Sequence, residues 1–211
     1  MSLRTRFLGL DLGQVKDHAT LGLVDRVVDA GPVDPGTFEP TRVVRYELPF
    51  LERVALGTSY PAVVERVVSV CERLRVGGAV EVVMDATGVG RAVFDLLRGS
   101  RVYELVAVVV TGSGSASQHG VWWHVPKRDI VASLVVAFQR GDLRIASKLE
   151  GAEALVTELT NFQRRVSAAG NASYGNSRES PNDDLVSAVS LATWRATLPW
   201  PLALGGRRPL F

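Results

Sequence analysis

Three aspartates, Asp11, Asp85 and Asp184, stand at positions where a carboxylate can do chemistry. Asp85 closes the apolar run Val80-Glu81-Val82-Val83-Met84, which reads as a buried strand. A turn containing Gly88 and Gly90 follows, and then a helical pattern with Val93, Phe94 and Leu97. Asp11 closes a shorter apolar run, Phe7 to Leu10, and is followed by Gly13. In open α/β sheets the carboxyl ends of the strands line the crevice where sites form. If these two strands are neighbours, their axes lie about 4.8 Å apart and both carboxylates can reach one cation. Two carboxylates so placed repel and require a metal or a proton between them. Oxygen-only donors suit hard divalent ions, Mg²⁺ or Mn²⁺.

The last long helix, expected over Ser180 to Ala196, offers the third acid. Ser180-Pro181-Asn182-Asp183 fits a helix start, with Ser180 as N-cap, so Asp183 is equally well a capping acid or a ligand. Asp184 lacks that explanation, and the buried stripe of Leu185, Ala188, Val189 and Ala192 would turn it toward the strand ends. Asp17 precedes the second strand, where a hairpin would return it near Asp11; a turn aspartate is the equal alternative. His18, His119 and His124 are weaker candidates, although His119, in a loop, can approach the site. Lys127 and Arg128 at a helix start, and Arg164 and Arg165 near a hairpin, are basic pairs able to meet DNA phosphates. Solvated surface charge is their ordinary role.

These residues need a scaffold, and the chain supplies one in order. Ala19 to Val28 and Arg42 to Leu48 read as strands that join the first in an antiparallel meander. Pro61 opens a helix ended by Gly77 and Gly78. The strand ending at Asp85, its helix and a fifth strand, Val102 to Val110, imply parallel pairing. Thr111 to Gly120 reads as a flexible loop, Pro126 opens a helix stopped by Gly141, and Asp142 to Ala146 is a short extended piece. A helix over Glu150 to Phe162 and a hairpin over Gln163 to Tyr174 precede the last helix. The expected fold is α/β, a mixed five-stranded sheet of three antiparallel strands followed by parallel ones, flanked by helices. Residues 1–198 form one domain and 199–211 a Pro/Gly-rich tail.

Composition narrows the class. The chain has 211 residues, 46% of them hydrophobic and 22% charged, as soluble globular proteins do. No apolar stretch approaches the roughly 18 residues of a membrane span, and no signal peptide is evident at the start. Cys71 is the only cysteine, which excludes an internal disulfide and a cysteine-built zinc site. The net charge of +2 does not by itself mark a nucleic-acid binder.

On three motifs the chain resembles the nuclease domain of the large terminase subunit of tailed bacteriophages, a ribonuclease H-like fold. They are LGLDLGQVKDHATLGLV (Leu8 to Val24), VVMDATGVGRAVFDLL (Val82 to Leu97) and PNDDLVSAVSLA (Pro181 to Ala192). VPKRDIVASLVVAFQRGDLRI (Val125 to Ile145) is similar to the family's helix-then-strand segment. The resemblance implies a metal-dependent endonuclease that cuts double-stranded viral DNA during packaging in the bacterial host cytoplasm. Asp11, Asp85 and Asp184 would hold one or two Mg²⁺ or Mn²⁺ ions, Asp17 would match a further family acid, and Asp183 would help or cap. A packaging ATPase, a small terminase subunit or a portal protein would be the partners. Asn182 departs from the family, which often has His there. No G-x-x-x-x-G-K-[ST] stretch is present, so the motor half is absent and the chain reads as a domain, a fragment or a free-standing relative.

Two other readings compete. A junction-resolving nuclease of the same superfold would use the same acids on branched DNA. An actin-like ATPase or phosphotransferase would use Leu10-Asp11-Leu12-Gly13 and the Gly88/Gly90 turn as phosphate loops, but leaves Asp184 without a role.

Overall fold

The computed structural model describes residues 2–13, 18–100, 104–168 and 183–199, with side chains over the same ranges except at 77 and 162–168. An eight-stranded sheet forms its centre. Strands β1 (Leu3–Asp11), β2 (Thr20–Val33) and β3 (Pro40–Arg53) make the antiparallel meander, with Asp11 opposite Thr20 and Thr20 opposite Arg53. β4 (Val80–Asp85) pairs parallel with β1, and β5 (Glu104–Thr111) parallel with β4. The five expected strands are therefore present in the expected directions.

Three further strands lengthen the sheet beyond the expected five. β6 (Ser117–His119) and β7 (Trp122–Pro126) form a small antiparallel pair, and β7 runs parallel to β5. Part of the loop expected to be flexible is thus tied to a sheet edge by main-chain hydrogen bonds. β8 (Leu143–Ile145) is the short extended piece and pairs parallel with β3 at the opposite edge. The full order is β6-β7-β5-β4-β1-β2-β3-β8.

Strand alternation sends successive side chains to opposite faces, and each face carries its own core. Leu8, Leu10, Val82 and Met84 pack beneath α1 (Tyr60–Leu74) and α2 (Gly90–Arg98), meeting Val63, Val67, Val93 and Phe94. Phe7, Val24, Val83 and Val108 point the other way, to α3 (Lys127–Gln139), α4 (Ala152–Ala168) and α5 (Asp184–Thr197). At the start of α1 the Ser59 side chain accepts a hydrogen bond from the Ala62 amide, with proline in the first turn. α5 is buried from Leu185 to Ala196 apart from Ser187, as expected of a helix that is apolar nearly all round. Its one charged buried residue, Arg195, pairs with Glu81 of β4 at 3.0 Å.

Two helix boundaries differ from expectation. Residues 163–168 continue α4 instead of starting a hairpin; the rest of that proposed hairpin lies outside the described residues. α5 begins at Asp184, with Asp183 as its N-cap residue making no side-chain capping bond. The expected cap at Ser180 and Pro181, the departure at Asn182, and the tail from 200 onward also lie outside the described residues.

Candidate active site

β1 and β4 are neighbours, and their parallel register runs to Leu10 beside Met84. Asp11 and Asp85 are the next residue on each strand, at the carboxyl edge of the sheet. Both continue the series of Phe7 and Val83, so alternation puts them on the face covered by α5. Asp85 Oδ1 accepts a hydrogen bond from the Thr87 amide at 2.8 Å, and the Thr87 hydroxyl accepts one from the Val110 amide at 3.0 Å. Burial raises the Asp85 carboxyl above the ordinary range, against the opposing pull of Thr87 and of the Lys127 charge. A buried carboxyl that resists ionisation gains from a nearby cation.

The turn after Asp85 depends on Gly90, where a Cβ would lie 2.3 Å from the Asp85 carbonyl oxygen. Gly88 adopts φ +58°, a left-handed conformation that favours glycine. Together they let α2 begin close under the strand end.

Asp184 reaches the same edge because α5 lies almost on the backbone of the sheet. A Cβ on Gly9 would sit 1.9 Å from the Ala188 carbonyl oxygen, and one on Gly22 would sit 2.9 Å from a Val189 methyl. These glycines, on adjacent strands, form the bed for the helix. Thr20, opposite Asp11 in the sheet, donates its hydroxyl to Asp184 Oδ2 at 3.0 Å. Asp11 and Asp184 are thus linked through one residue.

Arg53 at the end of β3 completes this corner. Its Nε donates to Asp184 Oδ2 at 2.8 Å and its Nη2 to Asp184 Oδ1 at 3.0 Å. The same Nη2 contacts the Glu158 carboxylate. For Asp184, burial acts upward, but the hydrogen bond and charge of Arg53 and the Thr20 hydroxyl outweigh it and hold the carboxyl below its ordinary value. For Glu158, burial dominates and pushes the carboxyl up to about 7, although the Val186 amide donates to it at 3.2 Å. Glu158 and Arg53 were not among the sequence-derived candidates. Glu158 carries a readable signal: an acid between Leu155 and Leu159 on the buried stripe of a helix.

The remaining candidates divide. Lys127 opens α3 and its charge reaches Asp85. Arg128 is exposed and donates to the Gly114 carbonyl at 2.8 Å and to Asp129 at 3.3 Å. Arg164 and Arg165 fall in α4, and their side chains lie outside the description, as does Asp17 altogether. His18 contacts the Val54 carbonyl through Nδ1 at 2.8 Å, a structural role. Burial pushes the Cys71 thiol up to about 11, which leaves it inert.

Among the described residues no group of three His, Cys, Asp or Glu side chains stands in a geometry that could hold a metal. Asp11 and Asp85 offer only carboxylate oxygens, on adjacent strand ends, which is the donor chemistry of a hard divalent cation, while both oxygens of Asp184 are taken up by Arg53. No helix among the described residues is long and apolar enough to cross a membrane.

No protein-family model matches the chain, and no curated protein matches it in sequence. Solved structures do. The fold is similar to that of the large terminase nuclease from thermophilic phage G20c, with a TM-score of 0.52, 20% identity, and coverage of 90% of this chain and 81% of that one. The manganese-soaked human cytomegalovirus terminase nuclease domain aligns with a TM-score of 0.49 at 14% identity, over 90% of this chain and 81% of that one. The likeness to the phage structure shows a terminase-nuclease-like fold, a mixed sheet between two layers of helices.

Proposed function

We propose that this protein is a metal-dependent endonuclease that hydrolyses phosphodiester bonds of double-stranded DNA. The observation that supports the reading is the position of Asp11 and Asp85 at the ends of adjacent parallel strands, on the face covered by the helix that bears Asp184. The similarity to a phage terminase nuclease fold supports the same reading. Asp11, Asp85 and Asp184 would hold two Mg²⁺ or Mn²⁺ ions, which supply charge for the attacking water and for the leaving 3′-oxygen. Asp17 and Asp183 are proposed as auxiliary acids.

The chain's own residues prepare that chemistry. Thr87 fixes one Asp85 oxygen and leaves the other for a ligand role. Thr20 and Arg53 orient Asp184, and Arg53 neutralises the carboxylate until another cation shares it. Lys127, whose charge reaches Asp85, would counter negative charge at a phosphate. Arg128, Arg164 and Arg165 are proposed backbone contacts, which position DNA without reading its sequence. In this reading the protein serves viral DNA packaging alongside an ATPase motor, and its products have no strong site preference.

Cleavage of a linear duplex and of a four-way junction in Mn²⁺, with the product ends mapped, tests the assignment. Cutting of the linear duplex at many sites is expected. Cutting confined to the junction, or to one short sequence, would overturn it.

A further inference from the structure

A cleft of about 500 Å³ opens on the other side of Asp85, on the face of α1 and α2. Thr87 and Gly88 of the turn, Arg91 of α2, His119 of β6, and Trp122 and His124 of β7 line it, and no acid among the described residues does. The Arg91 guanidinium carbon lies 5.0 Å from the centre of the Trp122 ring. Trp122 is itself held against Phe94, with ring centres 4.7 Å apart. The His119 and His124 rings meet edge to face at 6.3 Å. Arg91, His119 and His124 are all exposed.

From this arrangement we infer a second phosphate subsite, for a backbone phosphate of the DNA strand next to the one being cut. The inference rests on the nuclease reading and deepens it. A guanidinium is a planar fork of donors that matches phosphate oxygens. Arg91, stacked on Trp122, has less freedom to lose on binding than a solvated arginine. Imidazole nitrogens add donors, and no carboxylate among the described residues lines the cleft itself. Thr87 joins this cleft to the acids, since its amide holds Asp85. A strand crossing the carboxyl edge of the sheet would present one phosphate to the acids and a neighbouring one to Arg91. The β6–β7 pair, absent from the expected five strands, supplies half of this subsite.

The test is fluorescence anisotropy of the full chain with a short labelled duplex in EDTA, where binding is read without cleavage. Arg91→Ala is expected to weaken binding roughly tenfold, about equally for different sequences, and to lower the slope of log affinity against log salt by about one. Arg91→Lys keeps the charge and is expected to keep the slope while losing part of the affinity. His119→Gln with His124→Gln is expected to weaken binding as well. All are surface changes, and an unchanged thermal melt confirms that they fold. Wild-type affinity and slope in every variant would overturn the subsite, while cleavage by the wild type would leave the nuclease reading standing. No DNA binding and no cleavage by the wild type would overturn both. A deoxynucleoside monophosphate serves as competitor: weak competition is expected, and competition as tight as the duplex itself would overturn the backbone assignment in favour of a free-nucleotide site.

Discussion

Gly9 and Ala188 are in backbone contact: a Cβ on Gly9 would lie 1.9 Å from the Ala188 carbonyl oxygen. The contact sets how closely α5 approaches β1, and so where Asp184 stands relative to Asp11. Gly9→Ala cannot be accommodated without moving the helix. It is expected to cost about 1–3 kcal/mol of stability, as overpacked cores do, and to reduce nuclease activity by more than the folded fraction explains. Urea unfolding and a nicking assay on the same preparation check both halves. Full activity in a stable Gly9→Ala protein would contradict the placement of α5.

Arg53 offers a second test, because it binds both oxygens of Asp184. Arg53→Ala removes the resident cation and leaves Asp184 and Glu158 facing each other without it. The variant is expected to lose about 1–2 kcal/mol of stability, a partly exposed pair being screened by water. It is also expected to reach half-maximal cleavage at a lower Mn²⁺ concentration, since two carboxylates then lack their counter-charge. A higher Mn²⁺ requirement would show that Arg53 supports metal binding and does not compete with it.

Glu158 makes stability depend on pH. Its carboxyl is pushed from an ordinary 4.5 to about 7 in the folded chain. Between those values the folded state holds a proton that the unfolded state has released. This contribution is complete below about 4.5 and is lost as pH rises through about 7. Glu158→Gln should therefore flatten the fall in stability across that window, as read from urea midpoints at successive pH values. An unchanged slope would place the buried proton elsewhere.

Much of the candidate site was legible because strands announce their ends. An apolar run closed by an acid is a local pattern, and Asp11 and Asp85 each show it. Their adjacency was a condition that the order of elements alone does not supply, since β2, β3 and α1 lie between them, and the register of β1 beside β4 meets it. Gly9 and Gly22 escaped notice because a glycine inside a strand carries no chemical signal until the helix above it is known. Arg53 was hidden for a related reason: its partners are 105 and 131 residues away in the chain. The β6–β7 pair was missed because three residues of strand have no periodicity to read. The hairpin expected from residue 163 gave way to helix over 163–168, which prolongs α4.

Asp85 concentrates the account. Asparagine preserves its shape and can still accept the Thr87 hydrogen bond, but it removes a charge that burial already disfavours. Asp85→Asn is therefore expected to fold at least as stably as the wild type at neutral pH, with activity lost, the usual opposition of stability and function at a site. A variant that is both inactive and unstable would make Asp85 a structural residue.

The most direct measurement is nicking of supercoiled plasmid by the wild type in Mn²⁺ or Mg²⁺, by the wild type in EDTA, and by Asp85→Asn in Mn²⁺. Relaxation of the plasmid in the first reaction and none in the other two is the expected result. Nicking that survives both EDTA and the substitution would contradict a metal nuclease centred on Asp85.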